Sequence, residues 1–173
     1  GSSALIDLTG PGATTATVSM PASNLTSNFE YVGYNGRGTL DQSGGTNTIA
    51  AGAGSLDIGA SAGSTGTYNL SGTGTLVTNA AEYVGYSGTG DFEQSSGTHT
   101  VNLGLNIGYN SSSSGTYNLS GTGALVANAE SIGNFGTGSF NQSGGTNTSN
   151  GLLLPIGVNQ GSNGRYSRNG KGA

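Results

Sequence analysis

The chain has 173 residues, 35 of them glycine, with no cysteine, 4 basic and 8 acidic side chains, and a formal net charge of -4. Without thiols there is neither a disulfide framework nor a thiolate metal site, and so few Lys and Arg cannot neutralise a run of phosphates, which excludes nucleic acid as a partner. No apolar run approaches the roughly 20 residues of a membrane span, so membrane insertion is not expected.

In chain order, residues 1–29 hold two strand-like segments, Ala4 to Leu8 and Thr14 to Val18, separated by Gly10-Pro11-Gly12 and followed by Pro21. Proline cannot donate to a sheet ladder, so this stretch reads as an N-terminal cap, an irregular coil or a donor strand. From Glu30 the chain repeats itself. Val32-Gly33, Ile58-Gly59, Val84-Gly85, Ile107-Gly108, Ile132-Gly133 and Ile156-Gly157 recur at steps of 26, 26, 23, 25 and 24 residues. A fixed period in the twenties marks a solenoid, each repeat being one coil that buries its apolar side only against its neighbours.

Two coil types alternate. One begins Glu30-Tyr31-Val32-Gly33, continues Gly38-Thr39-Leu40-Asp41-Gln42-Ser43-Gly44-Gly45-Thr46-Asn47-Thr48, and returns from Glu82 and from Glu130. The other begins Leu56-Asp57-Ile58-Gly59, continues Gly66-Thr67-Tyr68-Asn69-Leu70-Ser71-Gly72-Thr73-Gly74-Thr75-Leu76-Val77, and returns from Leu105, with a degenerate copy from Leu154. Each coil contains three short segments alternating with period two, joined by Gly, Ser, Asn and Thr suited to corners. The expected fold is therefore all-β: a parallel β-helix, or β-solenoid, with three short strands in each coil of about 23–26 residues. Residues 30–173 form the solenoid, and since 164–173 align with Gly115 to Ala124, it is expected to end mid-coil.

Two columns predict the core. Leu40, Tyr68, Phe92, Tyr117, Phe140 and Tyr166 share one position of successive coils, and Val32, Ile58, Val84, Ile107, Ile132 and Ile156 share another. Residues repeated in this way form ladders, and packing outweighs a sugar-stacking surface as the reading of the aromatic one. Glu30, Glu82 and Glu130 alternate with leucines in a third column, and each precedes a glutamine, Gln42, Gln94 or Gln142, by twelve residues. Either each Glu pairs with its Gln inside the lumen, or the carboxylates sit at solvated corners.

Nothing in the pattern singles out a catalytic, cofactor or metal site. Equivalent carboxylates two coils apart would lie about 9.6 Å from each other, just past the range for an inverting glycosidase pair. Lys and Arg are absent between Arg37 and Arg165, and the only histidine, His99, takes the place of Asn47 and Asn147 and reads as a surface replacement. The Gly-rich turns imitate phosphate loops but no Gly-Lys-Ser/Thr follows. Thr46/Thr48, Thr98/Thr100 and Thr146/Thr148 occur on alternate coils only, half the density expected of an ice-binding face.

These coil motifs resemble the β-strand repeats of large bacterial surface proteins, similar to autotransporter passenger repeats and to repeat proteins carrying a C-terminal Pro-Glu-Pro sorting signal. The resemblance covers Glu30 to Ala173 and implies an exported protein at the cell surface with a structural or adhesive role. The expectation is a non-enzymatic structural solenoid that self-associates head to tail in a fibre, sheath or matrix. The alternative is an adhesin whose outward Tyr31 and Tyr83, with rows of Asn and Thr, hold an extracellular glycan; a polysaccharide-degrading enzyme is a third, weaker class.

Overall fold

A computed structural model describes residues 2–7, 15–151 and 155–169 of the chain. Among these there is no helix, and the strands fall into coils of three. In chain order the coils are β1 (Ser3–Ile6), β2 (Ala16–Met20) and β3 (Leu25–Ser27); then β4 (Phe29–Val32), β5 (Arg37–Gln42) and β6 (Thr46–Ile49). The third and fourth are β7 (Ser55–Ile58), β8 (Thr65–Leu70) and β9 (Thr75–Thr78); then β10 (Ala81–Val84), β11 (Thr89–Gln94) and β12 (Thr98–Val101). The fifth and sixth are β13 (Leu105–Ile107), β14 (Ser114–Leu119) and β15 (Ala124–Ala127); then β16 (Glu130–Ile132), β17 (Thr137–Gln142) and β18 (Thr146–Ser149). A last strand, β19 (Asn163–Arg168), follows.

Equivalent strands pair in parallel, giving three sheets that run along the solenoid: β1-β4-β7-β10-β13-β16, β2-β5-β8-β11-β14-β17-β19 and β3-β6-β9-β12-β15-β18. Register is kept by the repeat itself, so that Glu30 faces Leu56 and Leu56 faces Glu82 along the first sheet. Residues 2–7 and 15–29 join this stacking directly. Ala4 pairs with Glu30, Val18 with Leu40 and Leu25 with Asn47, which makes the described part of the N-terminal segment a coil held by its own chain. Leu8 and Thr14, at the edges of the strand-like segments, and Leu154, which opens the degenerate copy, lie outside the described residues, as does the chain beyond Asn169.

Each coil turns sharply where the first strand ends. Gly59 has φ of 70°, and its N–H donates to the Val32 carbonyl at 2.9 Å. A Cβ at this point would run into the Thr89 carbonyl oxygen of the next coil, so both the conformation and the space demand glycine. The repeated Val/Ile-Gly step is therefore a corner, with the apolar residue turned inward just before it.

The core is a narrow lumen. Leu40, Tyr68, Phe92, Tyr117 and Phe140 are fully buried in one column, and Tyr166 packs half-buried against its end. Ring centroids in that stack lie 4.9, 4.6, 5.0 and 5.1 Å apart from Tyr68 to Tyr166, with planes within 12° of parallel. The coil rise of about 4.8 Å sets this spacing, which lies within the range of favourable stacked ring pairs. Val32, Ile58, Val84, Ile107 and Ile132 form the second buried column. Ile156, expected to extend it, is 46% exposed and joins Ile132 only through an isolated bridge. It has a described coil on one side alone, so half of its apolar surface finds no cover.

Candidate functional site

The lumen carries acidic side chains as well as apolar ones. Glu30, Glu82 and Glu130 are buried, in layers alternating with Leu56 and Leu105. Their partners are not the glutamines that the spacing pointed to. Asn47, on the third sheet, donates its Nδ2 to both carboxylate oxygens of Glu30, at 2.9 and 3.1 Å, and Asn147 donates to Glu130 at 3.1 Å. The glutamines serve the aromatic ladder instead. Tyr68 and Tyr117 donate to Oε1 of Gln42 and Gln94 at 2.6 Å, and Tyr166 donates to Gln142 at 2.9 Å. Each of Gln42 and Gln94 spends its Nε2 on two backbone carbonyls, which fixes the amide orientation.

His99, expected at the surface, is fully buried. The reason is the period of two: Thr98 and Thr100 face outward, so the residue between them points into the lumen. Its ring stacks on Phe92 with centroids 4.8 Å apart. Nε2 lies 2.9 Å from Glu82 Oε2, which also accepts from the Thr78 hydroxyl at 2.8 Å, and Nδ1 lies 2.9 Å from Tyr117 Oη. Because Tyr117 gives its own proton to Gln94, it accepts from His99, and Nδ1 must carry hydrogen. His99 thus takes the place of Asn47, which joins Glu30 to Tyr68, as the side chain linking a buried glutamate to a buried tyrosine.

Burial has its electrostatic effect. It raises the Glu30 carboxyl from 4.5 to about 7, against the hydrogen bond from Asn47, and the charge of Glu82 adds to the rise. The Glu130 carboxyl is raised by burial and partly held down by Asn147. The Tyr68 and Tyr117 phenols are pushed well above their usual range, first by burial and then by the neighbouring carboxylates. Glu30, Glu82 and His99 are fully buried, and their hydrogen bonds tie the first sheet to the third across the lumen.

The outer face of the first sheet is different. Tyr31 and Tyr83 occupy its outward column with Asp57 directly between them in register. After the glycine corner a second column reads Tyr34, Ala60, Tyr86 and Tyr109, linked through backbone bonds such as Ala60 N–H to the Gly33 carbonyl at 3.0 Å. Tyr31 and Tyr34 meet edge to face at 4.9 Å; Tyr83, Tyr86 and Tyr109 cluster at 4.8, 4.9 and 5.5 Å. The third coil alone among these carries Asp57 and Ala60 in place of rings. A groove of about 650 Å³ results, with tyrosine walls from the second and fourth coils and Asp57, Ala60, Ser61 and Ser87 among its lining.

Asp57 is 7% exposed, and its Oδ1 is buried without a hydrogen-bond partner. Burial raises the carboxyl from 3.8 to about 6, opposed by the Ser55 hydroxyl. The Tyr31 and Tyr83 phenols are raised by burial, with the Asp57 charge contributing to both. Sequence reasoning reached Tyr31 and Tyr83 but not Asp57, Tyr34 or Tyr86. Aligning the third residue of each Val/Ile-Gly-x corner would have exposed the gap at Ala60. Elsewhere, Thr46, Thr75 and Thr98 follow one another along the outward face of the third sheet before Ala124 breaks the row, while Thr48 and Thr100 alternate with Val77, so the paired threonines of one coil are not repeated on the next. Among the described residues no cluster of three or more His, Cys, Asp or Glu could hold a metal ion.

Comparison with family models, with curated proteins and with solved structures gives no match for this chain.

Proposed function

We propose that the chain is a non-enzymatic structural repeat protein of the cell exterior, a segment or subunit of a surface fibre, sheath or matrix. The observation that supports it is the continuity of the core: the ladder and the three sheets pass from coil to coil without a break, which makes a stiff rod. The sheet order leaves β1, β2 and β3 at one margin and β16, β18 and β19 at the other. A further coil, from this chain or another copy, would meet those margins by parallel pairing, and repeated head-to-tail addition gives a filament rather than a ring. Electron microscopy and sedimentation of the purified chain over a range of concentrations test the reading. Ordered filaments whose length grows with concentration are expected. Monodisperse monomers at every concentration would overturn head-to-tail assembly.

A second reading is favoured by the tyrosine groove: an adhesin in which the rings stack on an extracellular glycan. A glycan array probed with monomeric protein tests it, with binding lost in Tyr83→Ala as the expected result.

A further inference from the structure

We infer that the gap in the third coil is a binding site for an organic ammonium group, seated between the tyrosines of the second and fourth coils and above the Asp57 carboxylate. Three observations carry this. The rings on either side belong to coils two steps apart, about 9.6 Å, too far to stack on each other yet leaving the midpoint about 4.8 Å from each. That is within the roughly 6 Å over which a cation is attracted to a ring face. Tyrosine rings on opposite walls therefore flank a space of the right width for a methylated or sugar-borne ammonium.

The second observation is Asp57 itself, nine-tenths buried at the base of the groove with one carboxylate oxygen unpartnered. A buried carboxylate lacking a full set of donors is costly, and no basic residue lines the groove to neutralise it. A cation supplies what is missing, whereas a neutral sugar satisfies the rings but offers the carboxylate only hydroxyls. The third observation is the ligand chemistry of the walls. A hard metal ion needs six or more oxygen ligands, and one carboxylate among aromatic rings does not provide them. An ammonium bearing carbon substituents uses both the carboxylate and the rings. This inference does not rest on the fibre reading.

The test is titration of the full chain with choline chloride, followed by tyrosine fluorescence. Saturable binding is expected, weakened at least about tenfold in Asp57→Asn and in Ala60→Tyr, which refills the gap with the ring that the adjacent coils carry there. The uncharged isostere 3,3-dimethylbutan-1-ol is expected to bind at least about tenfold more weakly than choline. Glucosamine against N-acetylglucosamine asks whether a sugar can carry the ammonium. Circular dichroism and a melting curve confirm that each variant folds, and if Asp57→Asn does not, Ala60→Tyr decides alone. Equal binding of the isostere would reduce the site to an apolar cleft and overturn the inference. Binding of N-acetylglucosamine without choline or glucosamine would overturn it while leaving the glycan reading standing. No saturation by any probe at about 50 mM, an affinity too weak to count as a site, would also defeat it.

Discussion

Nε2 of His99 lies 2.9 Å from Oε2 of Glu82 in a lumen where both side chains are fully buried. The same place two coils earlier is held by Asn47 and Glu30, and two coils later by Asn147 and Glu130. Imidazole and carboxamide are thus alternative solutions to one requirement: a polar side chain that reaches from the third sheet to a carboxyl group on the first.

That equivalence predicts the effect of exchange at position 99. His99→Asn should cost less than about 1.5 kcal/mol, because the amide can bond Glu82 and Tyr117 as Asn47 bonds Glu30 and Tyr68, and loses only the stacking on Phe92. His99→Leu should cost about 3–5 kcal/mol, since it leaves Glu82 buried with Thr78 as its one donor. Urea denaturation midpoints of the two variants check this, and equal costs would contradict the shared role.

Stability should decline as pH rises through mild acid. The Glu30 carboxyl sits at about 7 in the folded chain against 4.5 when unfolded, so the folded state holds the proton more tightly. Its contribution is fully present below about 4.5, is lost progressively up to about 7, and changes no further above that. Asp57, raised from 3.8 to about 6, and Glu130, also raised, act with the same sign. Glu30→Gln should flatten the difference in unfolding free energy between pH 4.5 and pH 8 by about 3 kcal/mol. An unchanged profile in that variant would assign the pH dependence elsewhere.

Gln94→Leu should destabilise the fold by about 1–3 kcal/mol by stranding the Tyr117 hydroxyl and the carbonyls of Gly97 and Ala124, rather than by disturbing Glu82. Amide hydrogen exchange should report the loss around Gly97 and Ala124. A rise in the denaturation midpoint would show that the amide is dispensable.

Two glycines with positive φ separate conformational strain from collision. Gly63, with φ of 80°, has open space where a Cβ would sit, and Gly63→Ala should cost about 1–2 kcal/mol. Gly59→Ala adds a clash with the Thr89 backbone and should cost at least about 2 kcal/mol more than Gly63→Ala. Similar melting temperatures for the two variants would refute the distinction.

The architecture was legible because repetition turns one coil into a test of the next. Period two within each segment and a step of 23 to 26 residues placed the Leu40-to-Tyr166 and Val32-to-Ile132 columns together without any knowledge of the sheets. The inward position of Asn47 and His99 was equally written in the alternation. It was obscured because Thr46 and Thr48 drew attention to the outer face of the same strand. Which amide meets which carboxylate was not legible, since Asn47 and Gln42 both point into the lumen, and only the cross-section of the coil brings one to Glu30 and the other to Tyr68. The groove was half hidden for another reason: it consists of what the third coil lacks, and an alanine in a column of tyrosines carries no motif.

The alternation of acidic and leucine layers bears on how such a chain can change length. Gaining or losing one coil within the stack would bring two glutamate layers, or two leucine layers, into adjacent positions about 4.8 Å apart, where each buried carboxyl raises the cost of ionising the other. Gaining or losing two leaves every layer facing its proper neighbour. Duplication and deletion in the coding sequence are therefore filtered in units of two coils, roughly 50 residues, and relatives of this chain should differ by even numbers of turns.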